Sequence, residues 1–190
     1  VTRRPASPRF GWDPAHDALA GPLLDRGDRR PWIAAHANPA TAQHYGYVKD
    51  WPADAWRRLF REMARRHDVR FVLLGHGREP AFDEPNVVDL RGRTGFLAML
   101  ALVRTRCTAL VAPDGGILNA VYFLDAEFPI TVVSLWSDPR HGLLKARSRS
   151  PNPGLVHVPL VGAGHDVRGI APTDVLAALE IAIVPREGCA

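Results

Sequence analysis

From Trp32 onward, short continuous apolar runs alternate with apolar residues at helical spacing, and this alternation leaves few folds open. Trp32-Ile33-Ala34-Ala35-His36, Val69 to Leu74, Val87 to Leu90, Thr108 to Ala112, Ile130 to Leu135 and Leu155 to Leu160 are runs of strand length. Runs of this kind suit strands buried on both faces. Between them, Trp56, Leu59, Phe60 and Met63 recur at helical spacing. Phe96, Leu97, Leu100 and Val103 do the same, as do Val175, Leu176, Leu179 and Ile183. Ile117 to Leu124 and residues 139–146 also read as helices. Pro52 fits the first turn of the helix before Trp56, and Thr94 is placed to cap the helix at Phe96. The alternation predicts an α/β fold, a parallel sheet with helices on both faces.

The chain has 190 residues, of which 46% are hydrophobic, enough for one domain with a substantial core. Residues 1–13 read as loosely attached, Ala15 to Leu24 as weakly helical and Asp25 to Pro31 as a polar break. The expected division is a flexible segment or inter-domain connection at 1–30, a folded domain at 31–184 and a flexible tail at 185–190. The 24 basic and 20 acidic residues leave a net charge of +4. The basic residues are scattered, and Arg57, Arg58, Arg61, Arg65 and Arg66 share the polar face of one helix, so they read as a solvated face. Nucleic-acid binding would need a concentrated patch.

The 2 cysteines, Cys107 and Cys189, form no CxxC pair, and Cys107 reads as a buried thiol in a reduced setting. Val1 to Arg9 is basic and proline-bearing without a following apolar stretch, which does not fit a signal peptide. No apolar run approaches the length of a membrane span. The expected location is the cytoplasm, or the inner face of the membrane as a peripheral protein. Walker A and G-x-S-x-G motifs are absent from the sequence. His36, His44 and His76 lie at expected strand ends and leave a metal reading open, although the 8 histidines show no ligand spacing.

In an open parallel sheet, ligands bind beyond the carboxyl ends of the strands. Segments 37–50, 75–80, 113–116 and 136–142 fall there. Lys49 precedes a helix start, where a lysine and backbone N–H groups suit a diphosphate; it reads equally as a surface lysine. Asp114 either caps the next helix or meets a ligand, and Gly115 and Gly116 offer a sharp turn with exposed N–H donors. Ser137 or Asp138 either caps a helix or helps Arg140 and His141 face an anion. Tyr45, Tyr47 and Trp136 are candidates for an exposed apolar cleft wall.

These segments resemble glycosyltransferase family 9, the ADP-heptose:lipopolysaccharide heptosyltransferases and their relatives. The similarity is to the C-terminal, nucleotide-sugar-binding domain. Ile33-Ala34-Ala35-His36 with Ala37-Asn38-Pro39-Ala40 resembles the opening strand and small-residue loop. Lys49, Trp51-Pro52 and the helix from Ala53 follow as in the family. Val72-Leu73-Leu74-Gly75-His76-Gly77-Arg78-Glu79 is similar to its strand and glycine turn, and Val88 to Thr94 to its "N-L-x-G-x-T" segment. Asp114-Gly115-Gly116-Ile117-Leu118-Asn119-Ala120 resembles "D-S-G-x-x-H-x-A", and Ser137-Asp138-Pro139 with Gly142 the "T-D-P" turn and later glycine. Gly115 stands where the family has Ser, and Asn119 where it has His, so a hydroxyl and an imidazole donor are lost.

The resemblance implies one Rossmann-like half of a GT-B fold that binds a nucleotide-diphosphate sugar, ADP-heptose-like, for transfer to an acceptor hydroxyl in lipopolysaccharide biosynthesis. The implied binding residues are Asn38, Ala40, Thr41, Lys49, Gly77, Glu79, Asp114, Gly115, Gly116, Asn119 and Asp138. Lys49 and the 38–41 loop would meet the phosphates, and residues near Gly77 and Glu79 the nucleoside. No cofactor or metal is implied. The catalytic base and the acceptor site would come from an N-terminal domain or partner subunit, which leaves this chain incomplete as an enzyme by itself. The alternative is a non-catalytic nucleotide- or partner-binding module of the same fold.

Overall fold

The computed structural model describes residues 8–23, 27–37 and 48–183. Its main element is a six-stranded sheet in the order β4-β3-β2-β5-β7-β8, parallel throughout. The strands are β2 (Trp32–Ala35), β3 (Arg70–Leu73), β4 (Val87–Asp89), β5 (Cys107–Pro113), β7 (Ile130–Trp136) and β8 (Leu155–Val161). The helices are α1 (Ala53–Arg66), α2 (Phe96–Arg106), α3 (Gly116–Tyr122), α4 (Gly142–Ala146) and α5 (Pro172–Ile183). A second, two-stranded sheet pairs β1 (Phe10–Gly11) with β6 (Leu124–Asp125).

The continuous apolar runs become strands because both faces of the sheet are covered. Successive side chains of a strand point to opposite faces, and the core divides accordingly. Ile33, Ala35, Phe71, Leu73, Val111 and Val133 join one cluster with α1 and α5. Ala34, Val72, Leu110, Ala112, Val132 and Trp136 join the other, with α2 and α3. Every position of β2 and β7 is buried.

Helix α1 buries the expected Trp56, Leu59, Phe60 and Met63, and leaves Arg58, Arg61, Arg65 and Arg66 exposed. Trp56 stacks on Phe60, which in turn meets Phe71 of β3 and Phe82. At the far end of α1, the His67 ring lies 3.0 Å from Glu180 Oε1 of α5. Pro52 is the residue before α1 rather than inside its first turn, and its carbonyl accepts from Trp56 N–H at 3.1 Å. Thr94 does not cap α2: Gly95 holds that position and no side chain caps it.

Two further features complete the fold. The β3–β4 crossover, where the sequence reads as a glycine turn, has no helix. Instead Phe82 fills the sheet face there, and Arg91, 1% exposed, bonds both Asp89 oxygens and the Pro80 carbonyl. A bidentate guanidinium can thus hold a loop where a helix would otherwise pack. Second, residues 10–23 are attached rather than loose. Phe10 N–H donates to the Phe123 carbonyl, and the Phe10 ring meets Phe96 edge-on. The 3-10 segment Pro14–Leu23 packs on α2 through buried Ala20 and an Asp17–Arg104 ion pair.

Cys107 is buried, and burial pushes its thiol up to about 12, so it is unreactive in the folded chain. Cys189 lies outside the described residues. No helix among the described residues is long and apolar enough to cross a membrane. Phe60→Ala should cost about 3–5 kcal/mol of stability in urea unfolding, because its ring joins α1 to the sheet and to the helix-free crossover. A loss under about 1 kcal/mol would show that this contact can be relaxed around.

Candidate functional site

The strand order sets where a crevice opens. From β2 the chain crosses to β3 on one side; from β4 it returns past β2 to β5 and then moves outward on the other side. The strand order thus reverses between neighbours β2 and β5, and in folds of this kind a crevice opens at such a switch point, beyond the carboxyl ends of the two strands. Lys49 belongs to the first connection and Asp114 to the second. Their side chains bridge the gap, Lys49 Nζ lying 2.9 Å from Asp114 Oδ2, with only 7% and 13% of the two side chains exposed.

An ion pair this enclosed has opposing terms. The gross attraction at this distance is on the order of 5 kcal/mol at an effective dielectric near 20. Desolvation opposes it by several kcal/mol for each ion. The pair thus contributes far more to placing a cation and a carboxylate at one point than to stability. Asp114 does not cap α3; Gly115 occupies that position with extended backbone. The Asp114 N–H instead donates to the Leu135 carbonyl at 3.3 Å, which ties the loop to β7.

His36 fills the floor of the crevice. A Cβ on Gly75 would lie 3.2 Å from its Cδ2, and one on Gly115 would lie 3.7 Å from its Cε1. The imidazole thus sits between the β3 and β5 loops, with Gly75 at φ +129° where a side chain would be strained. The chain bends at Asp114 and Gly115 ahead of α3, and it does so without left-handed backbone at Gly115 or Gly116. A side chain at Gly115 would meet only ordinary contacts. One N–H of the Asn119 amide donates to the Gly115 carbonyl at 2.9 Å, which leaves the other for a further partner.

The β7 loop closes the third side. Ser137 donates its hydroxyl hydrogen to the Val48 carbonyl, beside Lys49. Asp138 is 4% exposed and does not cap α4, whose preceding residue is His141. It accepts from Arg140 N–H at 2.8 Å and from the Arg140 guanidinium, and lies 3.2 Å from His165 Nδ1. Trp136 is 1% exposed, so it is floor and not an exposed cleft wall. Gly142, at φ +52°, turns directly over it.

Asn38, Ala40, Thr41, His44, Tyr45 and Tyr47 lie outside the described residues. Of the other expected residues, Lys49, Asp114, Gly115 and Asp138 lie on the connections that follow β2, β5 and β7, and Gly116 and Asn119 lie in α3. Gly77 and exposed Glu79 lie on the β3–β4 connection. The fit of His36 between two glycines was not foreseen; its sequence signal was a histidine at a strand end followed by small residues. Among the described residues, no group of three or more His, Cys, Asp or Glu is arranged to hold a metal.

No family model and no curated protein matches the chain. Among solved structures, the fold is similar to the E. coli ADP-heptose lps heptosyltransferase II. The TM-score is 0.66 at 17% identity, over 99% of this chain and 57% of that one. The likeness extends to the fold, and the chain spans little more than half of that protein's length. The expected fold class, a Rossmann-like parallel sheet of the GT-B kind, is therefore found.

The Arg140 hydrogen bonds hold Asp138 well below the usual carboxylate range. A lowered folded pKa contributes stability that is present above the ordinary aspartate value near ~4 and lost as pH falls through the lowered one. Asp138→Asn should therefore flatten the acid limb of the stability profile below about pH 4. An unchanged acid limb would show that the Arg140 contacts do not persist in solution.

Proposed function

We propose that the chain binds the nucleotide-diphosphate sugar donor of a glycosyl transfer, with the diphosphate in the crevice between the β2 and β5 loops. The observation that carries this reading is the Lys49–Asp114 pair at that point. It offers an ammonium for phosphate oxygens and a carboxylate for sugar hydroxyls, as little as one side chain apart. In the transfer, an acceptor hydroxyl oxygen attacks the anomeric carbon and its proton goes to a base. The bond from that carbon to the diphosphate breaks, and the diphosphate leaves with its electron pair. Lys49 stabilises the charge that develops on the leaving oxygens. The ligand's phosphate has to compete with Asp114 for the ammonium.

The acceptor site and base belong, on this reading, to a separate N-terminal domain or partner subunit, and turnover by this chain alone would be slight. A heptose donor, a role in lipopolysaccharide biosynthesis and a cytoplasmic site of action at the inner membrane face are the finer parts of the same proposal. A specific observation favours a second reading, a non-catalytic nucleotide- or partner-binding module. Gly115 carries no hydroxyl, and one of the two Asn119 amide hydrogens is bonded to the Gly115 carbonyl, so the donors of the family pattern are reduced to the remaining amide N–H.

Lys49→Ala should weaken nucleoside diphosphate binding at least tenfold in calorimetric titrations with ADP, UDP, GDP and their sugars. Unchanged affinity would remove Lys49 from the site. Failure of every nucleotide to bind the unaltered chain would overturn both readings.

A further inference from the structure

Beneath the crevice runs a chain of hydrogen-bonded side chains that the proposed function leaves unused. Ser134, in the middle of fully buried β7, is 0% exposed. Its hydroxyl oxygen lies 2.6 Å from Trp136 Nε1 and 2.7 Å from His157 Nε2. His157 lies on the neighbouring strand β8, opposite Val132. Its ring meets the edge of Tyr122 at 5.0 Å, and the Tyr122 hydroxyl donates to the Ser148 carbonyl.

An indole N–H only donates, so Ser134 accepts from Trp136. The hydroxyl oxygen has a second lone pair as well as its hydrogen, so the bond between Ser134 and His157 Nε2 runs in the direction that the imidazole tautomer sets. Burial pushes the His157 pKa down, which favours the neutral ring. Trp136, Ser134 and His157 thus form one row joined through the Ser134 hydroxyl.

The other end of the row reaches the crevice. A Cβ on Gly142 would fall 2.5 Å from Trp136 Cζ3, 2.6 Å from Cη2 and 3.1 Å from Asp114 Oδ1. The Trp136 ring, the Gly142 backbone and the Asp114 carboxylate therefore meet at one point. The plane of the indole sets how closely the β7 loop can lie against Asp114, the partner of Lys49. A tilt of the ring would press on a backbone with no side chain left to shorten.

We propose that Ser134 and His157 are positioning residues for the crevice, holding the Trp136 ring in the orientation that lets the Gly142 turn rest against Asp114. Their effect on ligand affinity rests on the diphosphate reading above; their effect on the Gly142 turn does not. A buried polar row that merely satisfies its own hydrogen bonds would affect stability without reaching Gly142.

The test uses the full chain labelled with nitrogen-15, four single variants and one double variant. In Ser134→Ala and His157→Leu, the Trp136 indole N–H signal should move, and the Gly142 and Asp114 backbone amides should move with it. His157→Gln keeps an acceptor near the Nε2 position and should return these signals close to their original places. Trp136→Phe removes the donor, and in that background Ser134→Ala should add no further shift at Gly142. Diphosphate affinity should fall about tenfold in Ser134→Ala and His157→Leu, recover to within about twofold in His157→Gln, and be insensitive to Ser134→Ala in the Trp136→Phe background. Unmoved Gly142 and Asp114 amides in the folded Ser134→Ala and His157→Leu proteins would overturn the proposal. So would a Ser134→Ala effect that persists undiminished beside Phe at position 136. Should Ser134→Ala not fold, His157→Leu against His157→Gln makes the same comparison. Amides that move while the unaltered chain binds no diphosphate would uphold the positioning role and overturn the diphosphate reading instead.

Discussion

Parallel pairing of β2 with β5 is the constraint on which the rest of the molecule depends. The two strands are neighbours in the sheet but far apart in sequence, and between them the chain has to travel out to β4 and back. That path places α1 on one face and α2 on the other, so both faces of every central strand are covered and their apolar runs need not alternate. The same path parts the loops at the carboxyl ends of β2 and β5. The fold therefore creates its crevice as a consequence of its strand order. Lys49 and Asp114 then meet across it, at a cost in desolvation that apolar residues would not have incurred.

The layers of the fold were legible because burial on both faces leaves a strong local signal. Ile130 to Leu135 and Val69 to Leu74 could hardly be other than core strands, and Trp56, Leu59, Phe60 and Met63 marked α1 by spacing alone. What was not legible depends on partners distant in sequence. The helix-free β3–β4 crossover is held by Arg91, and nothing near Arg91 shows that its guanidinium will be 1% exposed with Pro80 and Asp89 as partners. The attachment of residues 10–23 rests on β1 pairing with β6 across more than half of the chain. Capping was read wrongly at Thr94, and of the two roles left open for Asp114 the cap is not taken, its carboxylate pairing with Lys49 instead.

The motif order drew attention to the segments after β2, β5 and β7, and in the structure Lys49 pairs with Asp114 and Ser137 bonds the Val48 carbonyl. Roles were less legible than positions. Asp138 carries a ligand-like motif, yet its oxygens face Arg140 and His165. Trp136 looked like cleft wall and is floor. His36 looked like a stray metal ligand and instead fills the space between Gly75 and Gly115. In each case the deciding quantity is the direction of a side chain, which residue type and spacing do not encode.

The central claim is that the gap between the β2 and β5 loops is the ligand site. Amide chemical-shift mapping by nuclear magnetic resonance during titration with a nucleoside diphosphate tests it most directly. The largest shifts are expected at Lys49, Asp114, Gly115 and Gly116, with smaller ones at Gly142 and His36. The opposite edge of the sheet has its own cavity, of about 540 Å³, lined by Arg104, Arg106, Thr108 and Ile181 among others. Shifts concentrated there, with the crevice amides unmoved, would contradict the account.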